Sequence, residues 1–272
     1  MALEKETGNH EIILNGEHFL KVLPDETLRK YIANYGVFFL EKCDFSDKCI
    51  LVPDGCGTIS LAIENDTLTI ELWGTRTKTV DVGPDLKKNQ FLLLIDFLPG
   101  GLYKFTKHNQ NVLANKRVLL KTIDSDLEEV LRNSIQGSIN LDILFNNLNQ
   151  IFLRTLEEKE EDTFERILTY ILSRNGNVTI SELTNYFHYS NSYLYRHCLK
   201  YLGVNLKLFL RIVRMNNTIH DFEITDDNLT AIAQNNEYYD QAHFGKEFKS
   251  ICGITPSEYK KNMNDFYNQI IK

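Results

Sequence analysis

Two short amphipathic stretches carry the side chains best suited to chemistry. In Asn191–Leu202, Leu194, Cys198 and Leu202 recur every fourth position and mark a buried side, which puts Ser192, Tyr195, Arg196 and Lys200 on or near the outward one. In 241–251, Phe244, Phe248 and Ile251 mark the core and leave Gln241, Ala242, His243, Lys246 and Lys249 outside. Such side chains suit a nucleic-acid groove, where Arg and Lys read guanine, Gln reads adenine and Lys neutralises phosphate. Arg196, Tyr195, Gln241 and His243 are the candidates for reading bases, and Lys200, Lys246 and Lys249 for phosphates. Free backbone amides at the helix starts near Thr179 and Asn228 add further anion contacts.

The first half offers a second set, Asp54, Trp73, Arg76 and Asp96, as candidate ligand-binding residues. Asp54-Gly55 and Pro99-Gly100-Gly101 read first as turns, with a ligand loop and a gate as the respective second readings. Enzymatic chemistry finds less support. The seven histidines, at 10, 18, 108, 188, 197, 220 and 243, are dispersed, so no metal site and no cofactor is expected. Cys43, Cys49 and Cys56 form no C-x-x-C pair and lack a base within a few residues, which disfavours repair chemistry on a cysteine. The sequence contains no P-loop, dinucleotide fingerprint or nucleophile elbow.

The elements that would hold these residues divide the chain of 272 residues into two parts. Segments rich in β-branched and aromatic residues lie at 11–14, 36–40, 49–52, 58–63, 67–73, 78–82 and 91–97, and Asn65-Asp66 marks a hairpin between two of them. Helical spacing follows over 124–155, broken near Gly137. The expected organisation is a first domain over 1–156 (strand-rich to about 115, helical over 124–156), an acidic linker at 157–162 and a helical domain over 163–272. In the helical part a short helix, tight turn and second helix occur twice, joined by a longer helix from Leu206. Asp240 and the box Thr255-Pro256-Ser257-Glu258 supply the caps. Residues 163–272 carry 12 Lys and Arg against 11 Asp and Glu, a net +1, so with −7 overall the first part carries −8. Any DNA attraction must then come from locally placed charge. No stretch reaches the roughly 18 apolar residues of a membrane helix and no signal core opens the chain, so a cytoplasmic location away from membranes is expected. Five cysteines without close pairing fit a reducing compartment.

The second part resembles the AraC family of bacterial transcription regulators. The resemblance rests on Ile232-Ala233, Tyr238-Tyr239-Asp240-Gln241-Ala242-His243-Phe244, Glu247-Phe248-Lys249 and Gly253-Ile254-Thr255-Pro256-Ser257-Glu258-Tyr259. A looser match runs through Ser181-Glu182-Leu183, Ser190, Tyr193-Leu194, Arg196, Gly203-Val204, Leu210-Arg211 and Arg214. The first part resembles a sensor-type domain found ahead of such units, through Leu51-Val52-Pro53-Asp54-Gly55-Cys56, Val82-Gly83-Pro84 and Phe97-Leu98-Pro99-Gly100-Gly101. Three positions depart from the family pattern: Glu237 in place of Gly, His188 in the first tight turn, and Cys198 in place of Phe.

The resemblance implies an α+β fold, a strand-rich, cupin-like barrel domain with closing helices followed by an all-α double helix-turn-helix domain. It implies a regulator that is not an enzyme, with double-stranded DNA as partner and a small-molecule or protein effector at the first domain. RNA polymerase is a further candidate partner. The apolar positions Leu141, Leu144, Phe145, Leu148, Ile151 and Phe152 exceed what packing on a small barrel obviously needs, so a homodimer through this helix is expected.

Overall fold

A computed structural model describes residues 7–40, 49–156, 163–224, 229–236 and 238–262. The strands are β1 (Ile12–Asn15), β2 (Phe19–Val22), β3 (Ile32–Phe39), β4 (Ile50–Leu51), β5 (Thr58–Glu64), β6 (Thr67–Trp73), β7 (Val80–Asp81), β8 (Phe91–Phe97) and β9 (Arg117–Leu119). Seven of them form one antiparallel sheet in the order β1-β2-β3-β8-β5-β6-β9, and β4 pairs with β7 in a separate ribbon. Among the described residues the large sheet is open, with β1 and β9 at its edges. The ribbon lies over one face of this sheet.

Strand alternation decides what each face touches. Tyr35, Val37, Ile59, Leu61, Leu93 and Ile95 point into the main core, where they meet helices α3 (Ser125–Gly137) and α4 (Leu141–Thr155). Asn34, Phe38, Thr58, Ser60, Leu92, Leu94 and Asp96 point to the other face, under the ribbon and α1 (Gly83–Lys88). Another α-helix of this domain is α2 (Gly101–Thr106), which starts inside the Pro99-Gly100-Gly101 turn.

The helical domain consists of α5 (Thr163–Ser173), α6 (Ile180–Phe187), α7 (Asn191–Leu202), α8 (Leu206–Ile224), α9 (Leu229–Asn235), α10 (Gln241–Cys252) and α11 (Pro256–Asn262). Two helix-turn-helix pairs, α6–α7 and α9–α10, flank the long α8, as the spacing required. The linker at 157–162, Asn228, Glu237, Cys43 and the last helix beyond 262 lie outside the described residues.

Three expectations need correction. Strands β2 and β9 and helices α1 and α2 are additional elements, and β3 begins at Ile32, four residues before the expected start. Strands β4 and β7 are two residues each, shorter than 49–52 and 78–82. The apolar stripe of α4 is buried within its own chain: Leu141, Leu144, Phe145, Leu148 and Phe152 are all 0% exposed, with Ile151 packed against the same core. The stripe fills the groove between the sheet and α3, so it provides no free face for a dimer.

The β5–β6 hairpin turns on Asn65 and Asp66, both at positive φ (46° and 59°). A two-residue turn of this hand favours Asn followed by Gly. Asp66→Gly is therefore expected to raise stability by up to about 1 kcal/mol and Asp66→Val to lower it by at least as much, as read by urea denaturation.

Candidate nucleic-acid interface and cavity

Each helix-turn-helix is built from local caps. In the first, Thr179 and Glu182 form a reciprocal box: Glu182 N–H donates to Thr179 Oγ1 at 3.1 Å, and Thr179 N–H donates to Glu182 Oε2 at 2.6 Å. These bonds hold the Glu182 carboxyl below its ordinary pKa. His188 closes α6 in the left-handed region (φ 57°), and Ser190 caps α7 by accepting from Tyr193 N–H at 3.2 Å. Leu194, Cys198 and Leu202 are buried, leaving Ser192, Tyr195, Arg196 and Lys200 exposed. Arg196 lies back along its helix, with Nε–H donating to the Ser192 carbonyl at 3.4 Å.

In the second motif, Asp240 caps α10 by accepting from His243 N–H at 2.6 Å. Phe244, Phe248 and Ile251 are buried, and Gln241, His243, Lys246 and Lys249 are exposed. A bidentate pair fastens this helix to α8: Arg211 Nε and Nη2 donate to Glu247 Oε1 and Oε2 at 2.7 and 3.0 Å. The pair lowers the Glu247 pKa. The eight polar residues singled out on these helices thus lie on two exposed helix faces.

The strand-rich domain touches both motifs. Gly203 and Gly253, the left-handed C-caps of α7 and α10 (φ 74° and 72°), sit against it. A Cβ on Gly203 would lie 2.6 Å from the Gln110 carbonyl, and Thr79 Oγ1 donates to the Cys252 carbonyl at 2.6 Å beside Gly253. Gly55 and Gly100, in the two turns, also face the helical domain: a Cβ would lie 3.3 Å from Ile212 and 3.0 Å from Leu168 respectively.

Two features of this joint escaped the sequence reading. Tyr189, Tyr193, His197 and Tyr201 stack along α7, with ring centroids 4.1, 3.8 and 5.9 Å apart, and Tyr201 then meets Tyr103 of the other domain at 4.2 Å. Lys200 lies over the Tyr103 ring, 5.3 Å from its centroid, so one expected phosphate contact also borders the joint. The four-residue repeat of rings was the legible signal. The other feature is Glu165 of α5, which accepts from Lys30 Nζ at 3.0 Å, Lys104 Nζ at 3.1 Å and Tyr31 Oη at 3.2 Å. Burial opposes the Lys104 charge, but the Glu165 bond and charge prevail and raise its pKa.

Asp54, Trp73, Arg76 and Asp96 all line one cavity of about 220 Å³ in the strand-rich domain. The sheet supplies its polar wall, and Leu51, Val52, Val82 and Leu86 from the ribbon and α1 face it. Arg76 pairs with Asp54, whose carboxylate also accepts from Cys56 N–H at 3.0 Å. Thr58 donates to Asp96 at 3.0 Å, and Trp73 Nε1 donates to Ser60 at 3.1 Å. Burial raises the Asp96 pKa against the opposing pull of Lys21 and Arg76. Burial lowers that of Lys21, which is itself 1% exposed, against the opposing effect of Asp96. For Arg76, burial works against the charge, yet Asp54 and Asp96 outweigh it and raise the pKa.

Among the described residues no group of three or more His, Cys, Asp or Glu could hold a metal, and no helix is long and apolar enough to cross a membrane. Burial pushes the thiols of Cys49, Cys198 and Cys252 up to about 11, 12 and 12. The Cys56 thiol in the cavity wall is also raised, by burial and then by Asp54.

Comparison with known proteins places residues 183–262 in the family described as a helix-turn-helix domain. An uncharacterized HTH-type transcriptional regulator of Staphylococcus aureus is 32% identical over 101 residues, 37% of this chain and 14% of that protein. The HTH-type regulator YisR of Bacillus subtilis is 35% identical over 83 residues, 30% of this chain and 29% of that protein. The chain thus spans a small part of the curated relatives it matches. Among solved structures, ToxT from Vibrio cholerae O395 aligns over 83% of this chain and 95% of its own, with 15% identity and a TM-score of 0.43. Unsaturated fatty acid bound ToxT from strain SCE256 aligns over 90% and 96%, with 14% identity and a TM-score of 0.41.

Two measurements check this geometry. Glu165→Gln leaves Lys104 short of a counter-charge and is expected to weaken domain docking by about 2 kcal/mol, while Lys30→Ala, at a half-exposed ammonium, costs under about 1 kcal/mol. Amide exchange in α2 and α5 should accelerate in the first variant and hardly in the second. At pH 8 a thiol reagent should modify Cys198 and Cys252 only as fast as the chain opens, so labelling kinetics matching free thiol would contradict their burial.

Proposed function

We propose that this chain, which carries an AraC-type helix-turn-helix domain at residues 183–262, is a sequence-specific transcriptional regulator. It binds double-stranded DNA with α7 and α10 and is controlled by a small molecule held in the strand-rich domain. The observation that carries the DNA reading is the pair of capped, exposed helix faces, Ser192, Tyr195, Arg196 and Lys200 on one and Gln241, His243, Lys246 and Lys249 on the other. The 19-residue α8 between them is about 28 Å long, on the scale of the roughly 34 Å turn of the duplex. Arg196, Tyr195, Gln241 and His243 read bases and the three lysines contact phosphates.

Small-molecule input is favoured over a protein effector by the cavity, which is walled by apolar side chains with a few polar groups converging at one side. Its four candidate residues, Asp54, Trp73, Arg76 and Asp96, are the ligand contacts in this reading. The buried, high-pKa thiols support regulation over cysteine-based repair. Contact with RNA polymerase belongs to the same reading, as does a homodimer. Its surface is not the α4 stripe, and exposed Val130 and Ile139 are the apolar side chains nearby.

Gel shifts against an operator and its single-base variants test the DNA face. Arg196→Ala is expected to lose discrimination at one or two positions, about 1–3 kcal/mol for a lost bidentate pair, and Lys246→Ala to weaken all sequences alike. Unchanged affinity and specificity in both variants would place the DNA face elsewhere.

A further inference from the structure

Between β6 and β7 the chain runs as an irregular segment, residues 74–79. Within it Arg76 lines the cavity and pairs with Asp54, and its backbone N–H donates to the Cys56 carbonyl at 3.4 Å. Asp54 also holds its own loop, by accepting from Cys56 N–H at 3.0 Å. Gly55 of that loop faces α8, where a Cβ would lie 3.3 Å from the Ile212 side chain. The ion pair therefore joins a wall of the cavity to a loop that packs on the helical domain.

The same segment reaches the ends of α7 and α10. Residues 74, 75 and 77 fasten it to the turn at 110–116. Gly74 N–H donates to the Lys116 carbonyl and Asn115 N–H to the Thr75 carbonyl, both at 3.0 Å, and Thr77 N–H donates to Asn115 Oδ1 at 2.9 Å. A Cβ on Gly74 would collide with the Leu113 carbonyl, so glycine permits this close approach. That turn presents the Gln110 carbonyl to Gly203, the C-cap of α7. At the far end of the segment, Thr79 donates to the Cys252 carbonyl in the last turn of α10. Arg76 is only 11% exposed, so a change in its pairing must be answered by movement of the groups around it. The backbone bonds on either side carry such movement onward, because the segment is already committed to the turn and to α10.

We propose that residues 74–79 form a brace that couples the Arg76–Asp54 pair to the C-terminal ends of α7 and α10, so that a molecule in the cavity changes how both helices are held. A ligand does this to the extent that it contacts the seated and released arrangements of the pair unequally. Asn115 and Thr79 are the positioning residues, one on the branch to α7 and one on the branch to α10. The inference rests on the reading of the cavity as the input and of α7 and α10 as the DNA face, and it names the path between them.

Amide exchange of the full-length protein follows each branch. Asp54→Asn keeps an acceptor for Cys56 N–H and removes the charge opposite Arg76. It is expected to accelerate exchange at least about threefold in the last turns of both helices, 199–203 and 249–253, and to leave their middles, 194–198 and 244–248, unchanged. Thr79→Val should accelerate 249–253 alone. Asn115→Gly, which keeps the positive φ of 56°, should accelerate 199–203 alone. Gel shifts on a duplex that the wild-type protein selects from random sequence read the consequence. Asp54→Asn is expected to change affinity at least about threefold, and the change to vanish when Thr79→Val and Asn115→Gly are both present. Acceleration confined to 53–57 and 74–77, or spread evenly through α7 and α10, overturns the brace. An Asp54→Asn effect on affinity that survives loss of both branches overturns it as well. If the wild-type protein selects no duplex, the DNA reading falls and the exchange pattern alone decides the brace. Should Asp54→Asn not fold, Arg76→Lys, which keeps the charge and loses the guanidinium fork, replaces it in every comparison.

Discussion

Each pleated strand presents successive side chains to opposite faces of the sheet, so a seven-stranded sheet must find cover for two surfaces. Here the two are solved differently. The odd-numbered positions of β3, β5 and β8 are almost uniformly aliphatic or aromatic and are sealed by α3 and α4, which gives the domain its densely packed core. The even-numbered positions mix Asn34, Thr58, Ser60 and Asp96 with leucines, and a short ribbon and α1 cover them incompletely. The space left by that second, imperfect cover is the cavity. Near it, Phe19, Phe38, Leu51, Val52 and Val82 join a core that continues into Ile212, Met215 and Phe244 of the helical domain. One face therefore stabilises the domain, and the other both leaves a void and reaches the neighbouring domain.

The helical half was legible because each of its signals is local. Aliphatic and aromatic residues recur at helical spacing, and Thr179, Ser190, Asp240 and Gly253 sit where caps are needed. The Asn65-Asp66 turn was readable for the same reason. In the sheet, legibility failed where buried polar residues interrupt the apolar pattern. Lys21 at the centre of β2 made a strand buried along its whole length look like a surface segment, and Asn34 cut the first four residues from β3. Both face the same side as Asp96, so the breaks in the pattern coincide with the polar end of the cavity. Strand β9 was missed because three residues on an edge carry too short a pattern to detect. The convergence of Asp54, Trp73, Arg76 and Asp96 is a tertiary fact: it depends on the register of β5, β6 and β8, which hairpin chemistry constrains only in part.

The departures from the family pattern are also accounted for in part. His188 does adopt a left-handed conformation, at a cost of about 1 kcal/mol relative to glycine. Its neighbour Tyr189 begins the stack of rings that runs through α7 to Tyr103. Cys198 is fully buried and fills its position with less volume than Phe would. The rings of Phe164 and Tyr201, 4.8 Å apart, pack beside the same helix.

The two glycine caps, Gly203 and Gly253, constrain how such a protein can be assembled from parts. Here α7 and α10 each end on a glycine whose missing side chain admits a specific neighbour from the strand-rich domain, the Gln110 carbonyl for one and Thr79 for the other. A foreign strand-rich domain grafted onto this helical domain would have to present two matching protrusions at once, at the separation set by the ends of α7 and α10. Interchangeability is thus limited by shape at two small points.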